Sequence, residues 1–407
     1  MGPYTETFDN GLRLIFMPSP THVVYCGYTI GTGTRDEAPD EQGMAHFLEH
    51  MSFKGTERRR SWHILNRMEA VGGDLNAFTT KEETVYYSEC LDRDFDRAVE
   101  LLTDLVFHST FPPREIEKEL GVILDEIQSY EDTPSDLIFD DFEGLLFKGD
   151  ALGNNILGNP EQLRGFTQAD AAGFAARHYN PANMVFFVYG DLSWNRVLRT
   201  VSRHAASQRQ RSDYQQPRIQ LPQYVKTRVE MHRDTHQAHV MIGNRGVAGA
   251  DPDRMTLYLL NNILGGPGMN SRLNLSLREK RGLVYNVESN STSYTDTGVF
   301  CIYFGCDLDD VDRCTDLCFK ELEQLCRESM GESRLRAARK QLMGQMGVAG
   351  DNFENVALGM GKAFLHYGEY QTRTELFKRI EAITQEQMLD VARRILSPER
   401  QTILIYD

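Results

Sequence analysis

His46, Glu49 and His50 stand in the stretch Gly43-Met44-Ala45-His46-Phe47-Leu48-Glu49-His50-Met51. Four residues turn an α-helix through roughly 400°, so His46 and His50 leave one face a turn apart. Two imidazoles so placed can both reach a divalent ion at roughly 2.0–2.1 Å. Glu49 borders that face, where a carboxylate can take a proton from a water polarised by the ion. The same spacing also suits an amphipathic helix with two hydrogen-bonded histidines, so the motif alone leaves both readings open.

A hydrolytic zinc site takes three protein donors and keeps a fourth position for water. The third donor is expected in Phe111-Pro112-Pro113-Arg114-Glu115-Ile116-Glu117-Lys118-Glu119-Leu120-Gly121-Val122-Ile123-Leu124-Asp125-Glu126-Ile127. Two prolines suit the first turn of a helix, and the acidic residues after them suit its dipole. Ile116, Leu120, Ile123 and Ile127 make an apolar stripe at helical spacing. Glu119 and Glu126 lie seven residues apart on the margin of that stripe, pointing in nearly one direction. Carboxylates bordering a buried face need a partner. Glu126 is therefore the expected third ligand, with Glu119 as the carboxylate supporting it; a solvated helix glutamate is the plainer alternative for each.

His-x-x-Glu-His reverses the order of the commoner zincin motif and is the inverzincin pattern. Combined with Glu126 in Val122-Ile123-Leu124-Asp125-Glu126-Ile127, it resembles the insulinase/pitrilysin and mitochondrial-processing-peptidase family. Further points of resemblance are Asp74-Leu75-Asn76-Ala77-Phe78-Thr79, Leu264-Gly265-Gly266, Ser271-Arg272-Leu273 and Arg278-Glu279-Lys280-Arg281-Gly282-Leu283-Val284-Tyr285. They cover nearly the whole chain and are closest to the short, two-domain bacterial members. The resemblance implies an α+β fold of two homologous domains, each a mostly antiparallel sheet with helices packed on one side. It implies one Zn2+ per chain, held by His46, His50 and Glu126, with Glu49 as the base. Asn76 and Ala77 would contact a substrate peptide added to an edge strand. Arg278 and Tyr285 would face the metal across a chamber and hold substrate or the developing oxyanion. The chamber would admit unfolded peptides, and two chains, as a homodimer or with a related subunit, would close it.

Hydrophobic residues at 41% and charged residues at 25% describe a soluble globular protein. The 407 residues exceed one ordinary core, so two domains are expected. A net charge of −15 argues against phosphate backbones and anionic membranes as partners. The start, Met1-Gly2-Pro3-Tyr4-Thr5-Glu6, lacks the basic and apolar regions of a signal peptide, and no apolar run approaches the roughly 20 residues of a membrane span. Seven cysteines without a Cys-x-x-Cys suggest free thiols in a reducing cytoplasm, although Cys314, Cys318 and Cys326 share a helix face.

The elements that must position these residues are written twice. Phe166-Thr167-Gln168 through Asn180-Pro181 and the strand after it matches Ile383-Thr384-Gln385 through Ser397-Pro398 and the strand Thr402-Ile403-Leu404-Ile405-Tyr406. Tyr87-Ser88-Glu89-Cys90 matches Tyr303-Phe304-Gly305-Cys306 at nearly the same offset. The expected domains are 1–204, carrying the metal motif, and 224–407, with 205–223 as a linker rich in Gln, Arg, Ser and Pro. The second copy carries no His-x-x-Glu-His. Shifted by the repeat offset, the motif positions fall on Asn262, Gly265 and Gly266, so the second domain keeps the fold without the chemistry. His232, His236 and His239 have metal-like spacing but sit in a strand-loop-strand pattern, and incidental histidines are the expectation. A non-catalytic scaffold is the competing reading for the whole chain. The intact motif weighs against it.

Overall fold

The computed structural model describes residues 2–208, 220–233 and 235–407. The expected linker therefore lies for the most part outside the described residues. The described chain forms two compact units, each built on one mixed sheet.

In the first unit the strands are β1 (Tyr4–Thr7), β2 (Arg13–Pro18), β3 (Val23–Ile30), β4 (Asp74–Thr79), β5 (Thr84–Leu91) and β6 (Met184–Gly190). Their order is β1-β2-β6-β3-β5-β4, antiparallel throughout except for the β2–β6 pair. β6 reads Met-Val-Phe-Phe-Val-Tyr-Gly and is buried at every position, because both of its faces are covered. On one face Leu14, Phe16, Val24, Tyr28, Phe186 and Val188 pack against the helices Phe95–His108 and Trp194–His204. On the other, Ile15, Val185, Phe187 and Tyr189 meet Ala357, Met360, Phe364 and Leu365 of the helix Phe353–Tyr367.

The second unit repeats the plan with β7 (Arg228–Met231), β8 (Ala238–Arg245), β9 (Val284–Ser293), β10 (Gly298–Cys306) and β11 (Thr402–Tyr406). The order β7-β11-β8-β10-β9, with only β7–β11 parallel, is that of β2-β6-β3-β5-β4 in the first unit. Val240, Ile242, Phe300 and Ile302 pack on the helices Arg254–Gly265 and Val311–Arg327. Met241, Val299, Cys301, Leu404 and Tyr406 pack on Ile138, Phe142 and Leu146 of the helix Pro134–Leu146.

The two halves of the chain thus exchange a helix. Residues 129–153 belong to the second unit and 350–370 to the first, so the compact units are not the contiguous stretches 1–204 and 224–407. The reason is the apolar second face of each sheet, which the helices of its own half leave uncovered. Gly361 shows how closely the lent helix approaches: a Cβ there would lie 2.5 Å from Thr29 Oγ1 and 2.7 Å from Phe187. Arg13 caps the end of that helix, donating to the carbonyls of Phe364 and Leu365 at 3.1 Å each. Among the described residues no helix is long and apolar enough to cross a membrane.

Candidate metal centre

The motif residues ride on the helix Met44–Ser52, whose other face is apolar. Met44, Phe47, Leu48 and Met51 are buried with Ile116, Ile123, Ile127 and Phe174, which leaves His46, Glu49 and His50 on the remaining face. Gly43 starts the helix at φ +95°, where a side chain would be strained, and its backbone lies against Gly158. The buried Glu37 carboxylate accepts hydrogen bonds from the Gly43 and Ala45 amides, both at 2.9 Å, and so holds the entry to the helix. Burial pushes that carboxyl up to about 8, while the two amides pull it down.

The helix Pro113–Glu131 runs alongside with the expected stripe inward: Ile116, Ile123 and Ile127 are buried and Leu120 packs at their margin. Glu126 Oε2 lies 3.6 Å from His50 Nε2 and 3.9 Å from His46 Nε2. Donors at about 2.0–2.2 Å around a tetrahedral ion are about 3.3–3.5 Å apart, so these three side chains fit one zinc with little adjustment. Among the described residues they are the only three His, Cys, Asp or Glu side chains grouped closely enough to share an ion. Glu126 is 45% exposed at its side chain, which leaves the site open on that side.

The surroundings of both rings suit the role. Burial, with the neighbouring His50 adding to it, drives His46 down to about 3, so this imidazole is neutral near pH 7. Its Nδ1 is buried and has no hydrogen-bond partner among the described residues. His50 Nδ1 lies 2.9 Å from Glu119 Oε1, and Glu119 Oε2 lies 2.6 Å from Lys54 Nζ. With Nδ1–H donating to the carboxylate, the Nε2 lone pair is left free for the candidate metal position. Glu119 therefore supports His50 rather than Glu126, as the helix margin alone had suggested. Glu49 has its carboxyl raised by burial and pushed further up by Glu126, while a hydrogen bond from Thr79 and the proximity of His50 pull it down.

Two family profiles cover most of the chain: "Insulinase (Peptidase family M16)" over residues 14–160 and "Peptidase M16 inactive domain" over residues 165–342. The chain belongs to the insulinase family, peptidase M16. An uncharacterized zinc protease of Bacillus subtilis, YmxG, is 32% identical over 98% of this chain and 97% of its own length. A second from Streptomyces coelicolor is 33% identical over 96% of this chain and 86% of its own. Among solved structures, a protease from Helicobacter pylori superposes with a TM-score of 0.92 at 21% identity, each chain covered completely. A peptidase M16 inactive domain from Pseudomonas fluorescens gives 0.90 at 19%, over 100% of this chain and 98% of that one. These two establish the fold.

Within this M16 fold the remaining expected residues fall in two places. Asn76 and Ala77 lie on β4, which among the described residues pairs with β5 alone and has its outer edge open. Asn76 is exposed and donates to Asp74 at 3.0 Å. Arg278 and Tyr285 belong to the second unit, on either side of Gly282 at φ +63°. The Arg278 guanidinium carbon stands 5.8 Å from the centre of the Tyr285 ring, which is 85% exposed. Arg278 borders a cavity of about 350 Å³ with Asn262, Gly265, Gly266 and Asn290. The His232 and His239 side chains are engaged elsewhere, with Asp407 at 3.7 Å and Tyr303 at 2.8 Å.

Sequence reasoning missed Lys54, Glu37 and Thr79. Lys54 had a signal, since it continues the His46–His50 face by one more turn. Glu37 ends Gly31-Thr32-Gly33-Thr34-Arg35-Asp36-Glu37, whose glycines read as a turn with no sign of the helix contact. Thr79 ends the stretch Asp74-Leu75-Asn76-Ala77-Phe78-Thr79, and nothing local points its hydroxyl at Glu49.

Proposed function

We propose that the chain is a zinc-dependent endopeptidase of the inverzincin type, with one Zn2+ held by His46, His50 and Glu126. The observation carrying this reading is the convergence of those three donors, at 3.6 and 3.9 Å to Glu126, with the Glu49 carboxylate near enough to feel His50 and Glu126 electrostatically. Two imidazoles and one carboxylate with an open side are a donor set suited to catalytic zinc. Zinc, when bound, supplies a Lewis acid that acidifies water and polarises the scissile carbonyl. Glu49 takes the proton of the attacking water and returns it to the leaving amine, a task suited to a carboxyl raised by burial. The open edge of β4 offers main-chain hydrogen bonds to an extended peptide, which favours unfolded segments over folded proteins. Asn76 and Ala77 would contact that strand, and Arg278 or Tyr285 would steady the substrate or the oxyanion. By family resemblance two chains, as a homodimer or with a related subunit, enclose the reaction. All seven cysteines are free thiols, which suits a cytoplasmic location.

The test pairs elemental analysis of the purified protein with cleavage of a quenched fluorescent peptide, with and without chelator. Stoichiometric zinc and chelator-sensitive cleavage are expected. Zinc-loaded protein that cleaves nothing would instead support the scaffold reading.

A further inference from the structure

Thr79 is the last residue of β4, and its hydroxyl donates to Glu49 Oε2 at 2.6 Å. Among the described residues it is the only hydrogen-bond donor to that carboxylate. An O–H···O⁻ bond of this length is of the strong, charge-assisted kind. A glutamate side chain without such a tether has several staggered rotamers to choose among.

We propose that Thr79 is a positioning residue for the base. Its hydroxyl tethers one oxygen of Glu49, leaves the other to receive the proton, and makes that placement depend on the strand along which substrate lies. The inference rests on the peptidase reading above and concerns regulation of the same site.

Thr79 is itself well held. It pairs with Thr84 of β5, and the turn that follows is closed by Thr80, whose amide and hydroxyl both donate to the Glu83 carbonyl at 2.8 and 3.1 Å. The rest of β4 has one open edge. A peptide added there takes up the unpaired groups of the strand and stiffens it. Docking of substrate and placement of the base are then linked through one hydroxyl, contributed by the strand rather than by the helix that carries Glu49.

The experiment compares Thr79→Val and Thr79→Ser in the zinc-loaded, full-length protein on a quenched fluorescent peptide. Valine keeps the β-branched shape suited to a strand and removes the donor; serine keeps the donor. Thr79→Val is expected to lower kcat by about 10²-fold, as misplacement of a catalytic group by about 1 Å does, with KM, zinc content and melting temperature unchanged. Thr79→Ser should stay within about threefold of wild type. In a Glu49→Gln background Thr79→Val should add no further loss. In a crystal structure of metal-free Thr79→Val, the Glu49 carboxylate should no longer occupy one position. Wild-type kcat in Thr79→Val, an equal loss in Thr79→Ser, or a full additional loss in the Glu49→Gln background would each overturn the assignment while leaving the peptidase reading intact. A zinc-loaded wild type that cleaves no peptide would remove both.

Discussion

Glu119 accepts from His50 Nδ1 at 2.9 Å while its second oxygen lies 2.6 Å from Lys54 Nζ, so one buried carboxylate joins the candidate metal face to the turn just past the same helix. Fixing the unligated nitrogen of a metal-binding imidazole sets its tautomer and its basicity. Glu119→Gln should therefore weaken zinc binding about 10- to 100-fold with the fold retained. Competition against a fluorescent chelator measures this, and an unchanged affinity would detach Glu119 from the metal.

Glu49→Gln keeps the shape of the proposed base and removes its basicity. Zinc should remain stoichiometric while kcat falls by about 10²–10⁴, the usual contribution of a general base. A variant cleaving at the wild-type rate would move the base role to another residue.

The lent helix is clasped by charge. Glu83 is 2% exposed at its side chain, accepts from His366 Nε2 at 2.9 Å and is paired with Lys362. Burial alone would raise its carboxyl, but His366 and Lys362 hold it down at about 2. A carboxyl depressed in the folded state contributes stability above its unfolded pKa near 4.5 and loses it as pH falls through the folded value. Here the window runs from about 4.5 to 2, and the contribution is on the order of a few kcal/mol. Glu83→Gln should lower the urea midpoint at pH 7, and its difference from wild type should shrink at pH 3. A pH-independent difference would show that the pair adds nothing beyond packing.

Gly361 tests the same seam by shape. Any Cβ at this position meets Thr29 and Phe187 on the sheet, so Gly361→Ala should destabilise by about 1–3 kcal/mol despite alanine's higher helix propensity. Equal or greater stability in denaturant titrations would mean that the helix can shift outward freely.

The metal motif was legible because its geometry is local. Helical spacing alone carries His46, Glu49 and His50 to one face, and the margin of an apolar stripe singled out Glu126 and Glu119 on a second helix. The duplication was legible for a similar reason, since matching runs of strand and helix recur at a nearly constant offset. Which glutamate oxygen meets which imidazole was not, because it depends on how two helices distant in sequence pack together. Nor does periodicity tell which sheet an amphipathic helix will cover: Pro134–Leu146 and Phe353–Tyr367 each carry an apolar face, and only the uncovered side of the opposite half's sheet determines where they settle. The hydroxyl of Thr79 reaches Glu49 through the same kind of long-range packing, strand against helix. Chain-local angles set the identity of the chemistry; non-local burial of apolar faces set the partners that hold it in place.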